Sequence, residues 1–201
     1  MDQKALYNLS YGMYLLTTRE EGKDYGCIIN TAVQVARDPD RIAISVQNDN
    51  KTCEVLKRTE LFNLSAVTAD APFDLFRQFG MQSARDVEKF RGYPGIDRAS
   101  NTLPILSQYG NMYLSVYVTD TVDLGSHTLF IGELLDGQVL NGKPSCTYAH
   151  YHAEIKPKPK KAETKQWECR ICGYVYEGEE VPDDYKCPLC QHGKEDFVPV
   201  E

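Results

Sequence analysis

The stretch WECRICGYVYEGEEVPDDYKCPLC, residues 167–190, holds two Cys-x-x-Cys pairs, Cys169/Cys172 and Cys187/Cys190, with 14 residues between them. Paired thiols at this spacing can close four sulfur ligands into a tetrahedron, and soft sulfur in that geometry selects zinc or iron. His192 follows the last pair by two residues. With four thiolates already at hand it reads as an exposed side chain. The chain has seven cysteines, an odd number, and four of them sit in these tight pairs. Disulfides explain neither fact; a thiolate metal site in a reducing cytoplasm explains both. Cys27, Cys53 and Cys146 lie in apolar or strand contexts and read as small buried core residues.

The surroundings bear on which metal. Trp167, Tyr174, Tyr176 and Phe197 are more aromatic side chains than a structural zinc knuckle needs. A redox iron needs an apolar shell and backbone N–H groups aimed at sulfur. Gly173 can take the positive φ that turns amides toward the thiolates. Residues 167–198 resemble rubredoxin, and the resemblance implies one iron on Cys169, Cys172, Cys187 and Cys190; a structural zinc is the alternative. This sequence departs from the family twice. The stretch between the pairs is shorter than in stand-alone rubredoxins and resembles the trimmed form fused to other redox domains. Gln191 stands where the family usually has Gly, which predicts a local strain of ~1 kcal/mol or more.

Upstream, EIKPKPKKAETK (154–165) alternates Pro and Lys and reads as an extended linker with a reach of ~30 Å at ~3.1 Å per residue. It separates a large domain, 1–153, from the metal domain, 166–201. Residues 1–161 carry 18 Lys/Arg against 19 Asp/Glu, while residues 162–201 carry 4 against 10. The small domain is thus an acidic body on a basic tether (Lys156, Lys158, Lys160, Lys161). A net charge of −7 argues against a nucleic-acid partner. The N-terminus MDQKALYNLSYG is charged where a secretory signal needs an apolar run, and no stretch approaches ~18 apolar residues, so a cytoplasmic protein without a membrane span is expected.

The large domain reads mainly as strands: MYLLTTRE, CIINTAVQVA, RIAISVQN, LFNLSAV, NMYLSVYVTDTV and HTLFIGELL are β-branched or aromatic runs bounded by turn residues. Leu114, Val116 and Val118 alternate with Tyr113, Ser115 and Tyr117, the period of a sheet with unlike faces. Helices are predicted at KTCEVLKRT, after Asn48, Asp49 and Asn50, and at PFDLFRQFG, which Pro72 opens and Gly80 closes. Many strands with few helices indicate a barrel or sandwich. No GxGxxG follows a strand, which argues against a Rossmann dinucleotide site.

Four stretches carry a resemblance across this domain: NTAVQV at 30–35, SVQNDNKT at 45–52, FGMQSARDVEKF at 79–90 and GSHTLFIGE at 125–133. In this order they are similar to the flavin reductase family, which implies a mainly β fold, an FMN-binding split β-barrel that forms a homodimer. With the rubredoxin-like domain, the arrangement resembles the high-molecular-weight rubredoxins. Under that resemblance Thr52, at a helix start, and Lys89 would hold the FMN phosphate. Asn30, Thr31, Gln47 and Asn48 would meet the flavin ring edge and ribityl chain, and His127 would stand near the nicotinamide as the catalytic residue. Tyr148, Tyr151 and His152 would lie where the C-terminal stretch passes the flavin. Each of these polar residues also reads as turn or capping chemistry.

The function implied is an oxidoreductase that takes electrons from NADH or NADPH through FMN to the four-thiolate iron and on to a flavodiiron protein that reduces nitric oxide or dioxygen. Two other functions suit the residues. One is a free-flavin reductase with a structural zinc knuckle. The other is a two-centre electron carrier unable to use NAD(P)H.

Overall fold

The computed structural model describes residues 8–157 and 165–200. The chain divides into two compact units, Met1–Pro157 and Lys158–Glu201. Glu154 and Ile155, expected at the start of the linker, belong to a last helical turn; residues 158–164 of the expected linker lie outside the described residues.

The first unit opens with β1 (Tyr14–Glu20), β2 (Lys23–Ile29), β3 (Ala32–Arg37) and β4 (Asp40–Gln47). The run 27–36, expected as one strand, is two. It breaks at Asn30 and Thr31, where the Thr31 hydroxyl donates to Asn30 Oδ1 at 3.1 Å. The break sends β2 to pair with β1 and β3 to pair with β4, so the two halves of one apolar run end on opposite edges of the sheet.

α1 (Lys51–Thr59) starts where expected, because Asn50 caps it: its Oδ1 accepts from Thr52 N at 2.9 Å. The helix buries Thr52, Cys53, Val55 and Leu56 and stops at Glu60, whose φ is 55°. β5 (Leu61–Val67) follows, then α2 (Phe73–Gly80), with Pro72 at its N-cap and Leu75, Phe76 and Phe79 buried. A short hairpin of β6 (Ile96–Arg98) and β7 (Pro104–Leu106) precedes the long β8 (Gly110–Asp123) and β9 (His127–Val139). The unit ends in α3 (Tyr148–His150), which runs on into a π-helical turn, Tyr151–Ile155.

Seven strands form one antiparallel sheet in the order β2-β1-β5-β8-β9-β4-β3. Cys27 and Ile29 of β2 share a core with Ile42, Ile44 and Val46 of β4, although these strands lie near opposite ends of that order. The sheet therefore curls around its own interior, with Cys53 and Leu56 of α1 filling it. Phe62, Phe76, Phe79 and Phe130 are among the largest fully buried side chains, and truncating any one to Ala should cost ~3–5 kcal/mol.

The alternation expected along β8 is not clean, because Tyr113 and Ser115 are buried as well as Val116 and Val118. The loop between β6 and β7 covers the second face. Ala99 and Ile105 pack on Tyr113, and Asn101 Nδ2 donates to Ser115 Oγ (3.2 Å) and Asn63 Oδ1 (2.7 Å).

The second unit is a three-stranded sheet, β11 (Val175–Glu177), β10 (Gln166–Cys169), β12 (Phe197–Pro199), in that order. Cys169, Val181, Cys187 and Phe197 are its buried apolar residues, ringed by Trp167, Tyr174, Tyr176 and Tyr185. So small a core supplies little folding energy alone, and a staple is needed. Among the described residues no helix is long and apolar enough to cross a membrane.

Candidate functional site

The staple is a cage of four sulfurs. Cys169 ends β10, and Gly173 N donates back to Cys169 O at 2.8 Å, closing a turn with φ 73° at Gly173. The second knuckle repeats the first: Gln191 N donates to Cys187 O at 2.8 Å, with φ 60° at Gln191. The sulfurs of Cys169 and Cys190 are 3.6 Å apart, those of Cys172 and Cys187 3.4 Å, and all four lie within 4.8 Å of one another. With metal–sulfur bonds of ~2.3 Å, a tetrahedron has edges of ~3.8 Å, so one ion fits with a small expansion. Backbone N–H groups point at the sulfurs: Tyr174 at Cys172, Leu189 and Cys190 at Cys187, and His192 at Cys190. Burial raises the Cys187 thiol, but these amides and the neighbouring thiols outweigh it and bring it down to about 7.

Cys187 and Cys169 are buried, whereas Cys172 is exposed, flanked by exposed Ile171 with Leu189 on the other knuckle. Trp167 Nε1 donates to Gly178 O, and the Tyr185 ring packs on Tyr176 and Phe197. These contacts fix the aromatic wall behind the cage. His192 is exposed, with Nδ1 against Cys190 O at 3.0 Å, and is outside the ligand set.

In the first unit, the residues expected around a flavin gather at the C-terminal end of β4 and the start of α1. Gln47 lies opposite His127 in the β4–β9 pairing, and Ser45 N donates to Thr31 O at 3.3 Å. His127 is half-exposed, its Nδ1 2.9 Å from Ser126 Oγ. Asn48 is a brace: Nδ2 donates to Gly125 O, and Oδ1 accepts from Thr128 Oγ1 (2.6 Å) and Lys57 Nζ (3.2 Å). Both acceptor positions of its amide are thereby occupied.

Thr52 and Lys89 form the more telling pair. The Thr52 side chain is fully buried, and its hydroxyl makes no hydrogen bond. Lys89 is 3% exposed, and its ammonium donates to Gly26 O (3.1 Å) and Phe79 O (2.9 Å). Neither partner carries charge, and the third N–H is left over. Burial lowers the Lys89 pKa. Each offers an anion a donor that the protein leaves unused, a buried ammonium without a counter-ion and an orphan hydroxyl at a helix N-terminus. The donor set fits a flavin phosphate.

Of the three C-terminal aromatics expected near a flavin, Tyr148 and His152 line a cleft of about 770 Å³ together with Tyr11 and Thr147. Tyr151 is instead buried, its ring 4.6 Å from that of Phe76. The Asn50 cap had a sequence signal, a polar residue before a helical run, and Cys27 is buried in the barrel core as its apolar context indicated.

Residues 6–157 match the flavin reductase like domain, and residues 167–198 match the rubrerythrin, rubredoxin-like domain. The high molecular weight rubredoxin of Moorella thermoacetica is 33% identical over an alignment 231 positions long, covering 100% of each chain. The ferric-chelate reductase (NAD(P)H) of Archaeoglobus fulgidus is 31% identical over 170 residues, 85% of this chain and 100% of its own. Among solved structures, the FMN-binding protein from Thermus thermophilus superposes with a TM-score of 0.61 at 19% identity, over 68% of this chain and 74% of that one. That likeness establishes the shared fold.

Proposed function

Because this chain belongs to the flavin reductase-like family and ends in a rubredoxin-like domain, we propose that it takes electrons from NADH or NADPH and delivers them singly to a protein acceptor. FMN would supply the exchange between hydride and single-electron chemistry, and an iron on the four thiolates would supply one-electron exchange at an accessible surface. The residues of the chain bind and orient. Thr52, Lys89 and the first turn of α1 hold the phosphate, while Gln47, Asn30 and Thr31 offer amides and a hydroxyl to the ring edge and ribityl chain. Half-exposed His127, opposite Gln47, is the residue we assign to the nicotinamide side.

The observation that carries this reading is the sulfur cage with amides aimed at it, on the same chain as a buried, uncompensated Lys89. Iron is favoured over zinc because the amides lie where they tune a potential, a task a purely structural ion does not need. A flavodiiron protein is the acceptor class that the resemblance suggests. Seven free cysteines support a reducing compartment, the cytoplasm. A homodimer is supported by exposed apolar side chains, Val33 and Val35 on β3 with Leu135 and Val139 on β9; sedimentation showing only monomer would count against it. The test of the whole is a visible spectrum with metal analysis on protein purified without air, before and after NADH. A red protein with one iron and one FMN, both reduced by NADH, is expected. Stoichiometric zinc, or no reduction by NADH, contradicts it.

The Archaeoglobus relative supports a second reading, in which the first unit alone reduces a ferric chelate with NAD(P)H. A chain ending at Lys160 that reduces ferric chelates as fast as the full protein would favour it.

A further inference from the structure

His127 opens β9 directly after the turn Leu124–Ser126, a turn that core packing does not hold. Leu124 is 55% exposed, Gly125 and Ser126 are exposed, and Gly125 sits at φ 82°, a conformation that glycine enters and leaves freely. The hairpin itself supplies two hydrogen bonds, from Gly125 N to Asp123 Oδ1 and from Leu124 N to His127 O, both at 2.9 Å. Among the described residues, the bonds that tie the turn to the rest of the barrel both come from Asn48. Its backbone N donates to Ser126 O at 3.0 Å, and its Nδ2 donates to Gly125 O at 2.7 Å. On the far side of His127, buried Thr128 donates from Oγ1 to Asn48 Oδ1 at 2.6 Å. Lys57 Nζ of α1 donates to the same Oδ1 at 3.2 Å. An ammonium can only donate and a carbonyl can only accept, so the network fixes which way the amide faces. One side chain thus grips residues on both sides of His127 and is itself held from α1.

We propose that Asn48 is a positioning residue for the nicotinamide substrate, acting through His127. This rests on the assignment of His127 to the nicotinamide side. His127 Nδ1 lies 2.9 Å from Ser126 Oγ, so the residue whose carbonyl Asn48 holds is also the one that orients the imidazole. Moving the turn therefore moves the ring as well as the backbone. Gln47, assigned to the flavin edge, is the strand partner of His127, so the clamp sets the nicotinamide side relative to the flavin side. A misplacement of ~1 Å at a reacting pair can cost ~100-fold in rate.

The experiment follows reduction of bound FMN in full-length protein by stopped-flow absorbance without air, with NADH, NADPH or dithionite as reductant. It compares the unaltered chain with Asn48→Ala, His127→Ala and the double variant. Each single variant should lower the second-order rate constant with the preferred nucleotide about 10-fold or more. Dithionite rates and FMN affinity should stay within about threefold. The double variant should be no slower than His127→Ala to within about threefold, because the side chain that Asn48 places is already gone. A merely structural role would slow the His127→Ala background further. If neither nucleotide reduces the unaltered protein, or if His127→Ala is as fast as it, the nicotinamide reading of His127 falls and the proposal with it. If His127→Ala is slow and Asn48→Ala is not, or if the two losses multiply, the reading of His127 stands and the role of Asn48 is overturned. Weaker FMN binding by Asn48→Ala with an unchanged nucleotide rate would make Asn48 a flavin contact and overturn it too.

A second readout needs neither flavin nor turnover. In flavin-free full-length protein, the ring nitrogen-15 signals of His127, assigned by their loss in His127→Ala, should show one tautomer fixed by Ser126. Asn48→Asp keeps an acceptor for Thr128 and Lys57 but sets a carboxylate against Gly125 O, so it releases the turn without removing the brace on α1. It should move the His127 signals toward the averaged position of a free imidazole and leave those of His150 in place. This variant also decides the matter should Asn48→Ala not fold. Unchanged His127 signals in Asn48→Asp overturn the proposal.

Discussion

The two sites on this chain are built in opposite ways. The sulfur cage draws all its ligands from Cys169 to Cys190, on two turns of the same design. The anion cradle we propose draws on Thr52 from α1 and Lys89 from the loop after α2. The cage sits in a unit with four buried apolar residues, two of them ligands, whereas the cradle rests on a barrel with its own large core. A site of the first kind holds its fold together. A site of the second kind is held by the fold. The contrast predicts how each responds to damage.

The largest effect should follow loss of the metal. Cys172→Ser, or a strong chelator, should release the ion and unfold the small unit, because metal binding and folding are one event in so small a core. The FMN affinity of the barrel should not change. Far-ultraviolet circular dichroism and limited proteolysis would report the first outcome, and flavin fluorescence the second. A small unit that stays folded without metal would erase the contrast.

The same contrast explains what could be read from sequence. The cage is a local pattern, and spacing alone gave the four ligands and the turn at Gly173. The helix at 51–59 was legible because Asn50 and the period of Val55 and Leu56 are local too. The proposed cradle was half legible: Thr52 and Lys89 came from family resemblance, but the burial of both depends on packing across the barrel. Asn48 was read as a flavin contact, and the β8–β9 hairpin it braces could not be foreseen from the residues beside it. The β6–β7 hairpin was invisible, since its strands of three residues, one opening on Pro104, have too few positions to show a period. Its hidden presence is also why Tyr113 and Ser115, which alternation sets on the face opposite Val116 and Val118, are buried too.

A second effect is nearly as large but purely functional. Ending the chain at Lys160 removes the acidic body, residues 162–201 with 4 Lys/Arg against 10 Asp/Glu, a net charge of −6. Reduction of bound FMN by NADH should persist, while reduction of a flavodiiron acceptor should cease. Stopped-flow absorbance separates the two steps. If the shortened chain drives the acceptor at full rate, electrons leave from the barrel and the cage is not on the path.

At the cradle, substitution should have opposite signs for stability and for binding, a pattern the cage cannot show. Thr52→Val keeps the shape but removes a buried hydroxyl that has no partner. Flavin-free protein should gain ~1 kcal/mol, the desolvation cost of that group. FMN affinity should fall ~10- to 150-fold, the value of one charge-assisted hydrogen bond of ~1.5–3 kcal/mol. Lys89→Ala should weaken FMN at least as much, without the gain, since Gly26 O and Phe79 O lose their donor. Thermal melts and fluorescence titration check both signs. Unchanged FMN affinity in both variants would move the phosphate elsewhere.

The smallest effect lies inside the cage, between its two knuckles. Gly173 and Gln191 hold matching positions, donate to matching carbonyls at the same 2.8 Å, and both sit at positive φ, 73° and 60°. Only one is glycine. A side chain in this left-handed region costs ~1–2 kcal/mol, and glycine returns ~0.5–1 kcal/mol of that through its freer unfolded state. Gln191→Gly should therefore stabilise the metal-loaded unit by no more than ~1.5 kcal/mol. The reciprocal Gly173→Gln should cost a similar amount and not more, because a Cβ built there meets only Glu168 Oε1 at 3.6 Å. Backbone strain, with no clash, is then the whole difference. The loss of metal-centred colour on heating, followed in full-length protein, measures both. If Gln191→Gly loses colour at a lower temperature than the unaltered protein, the Gln191 side chain protects the metal in a way that outweighs its strain, and the two knuckles are not equivalent halves of one design.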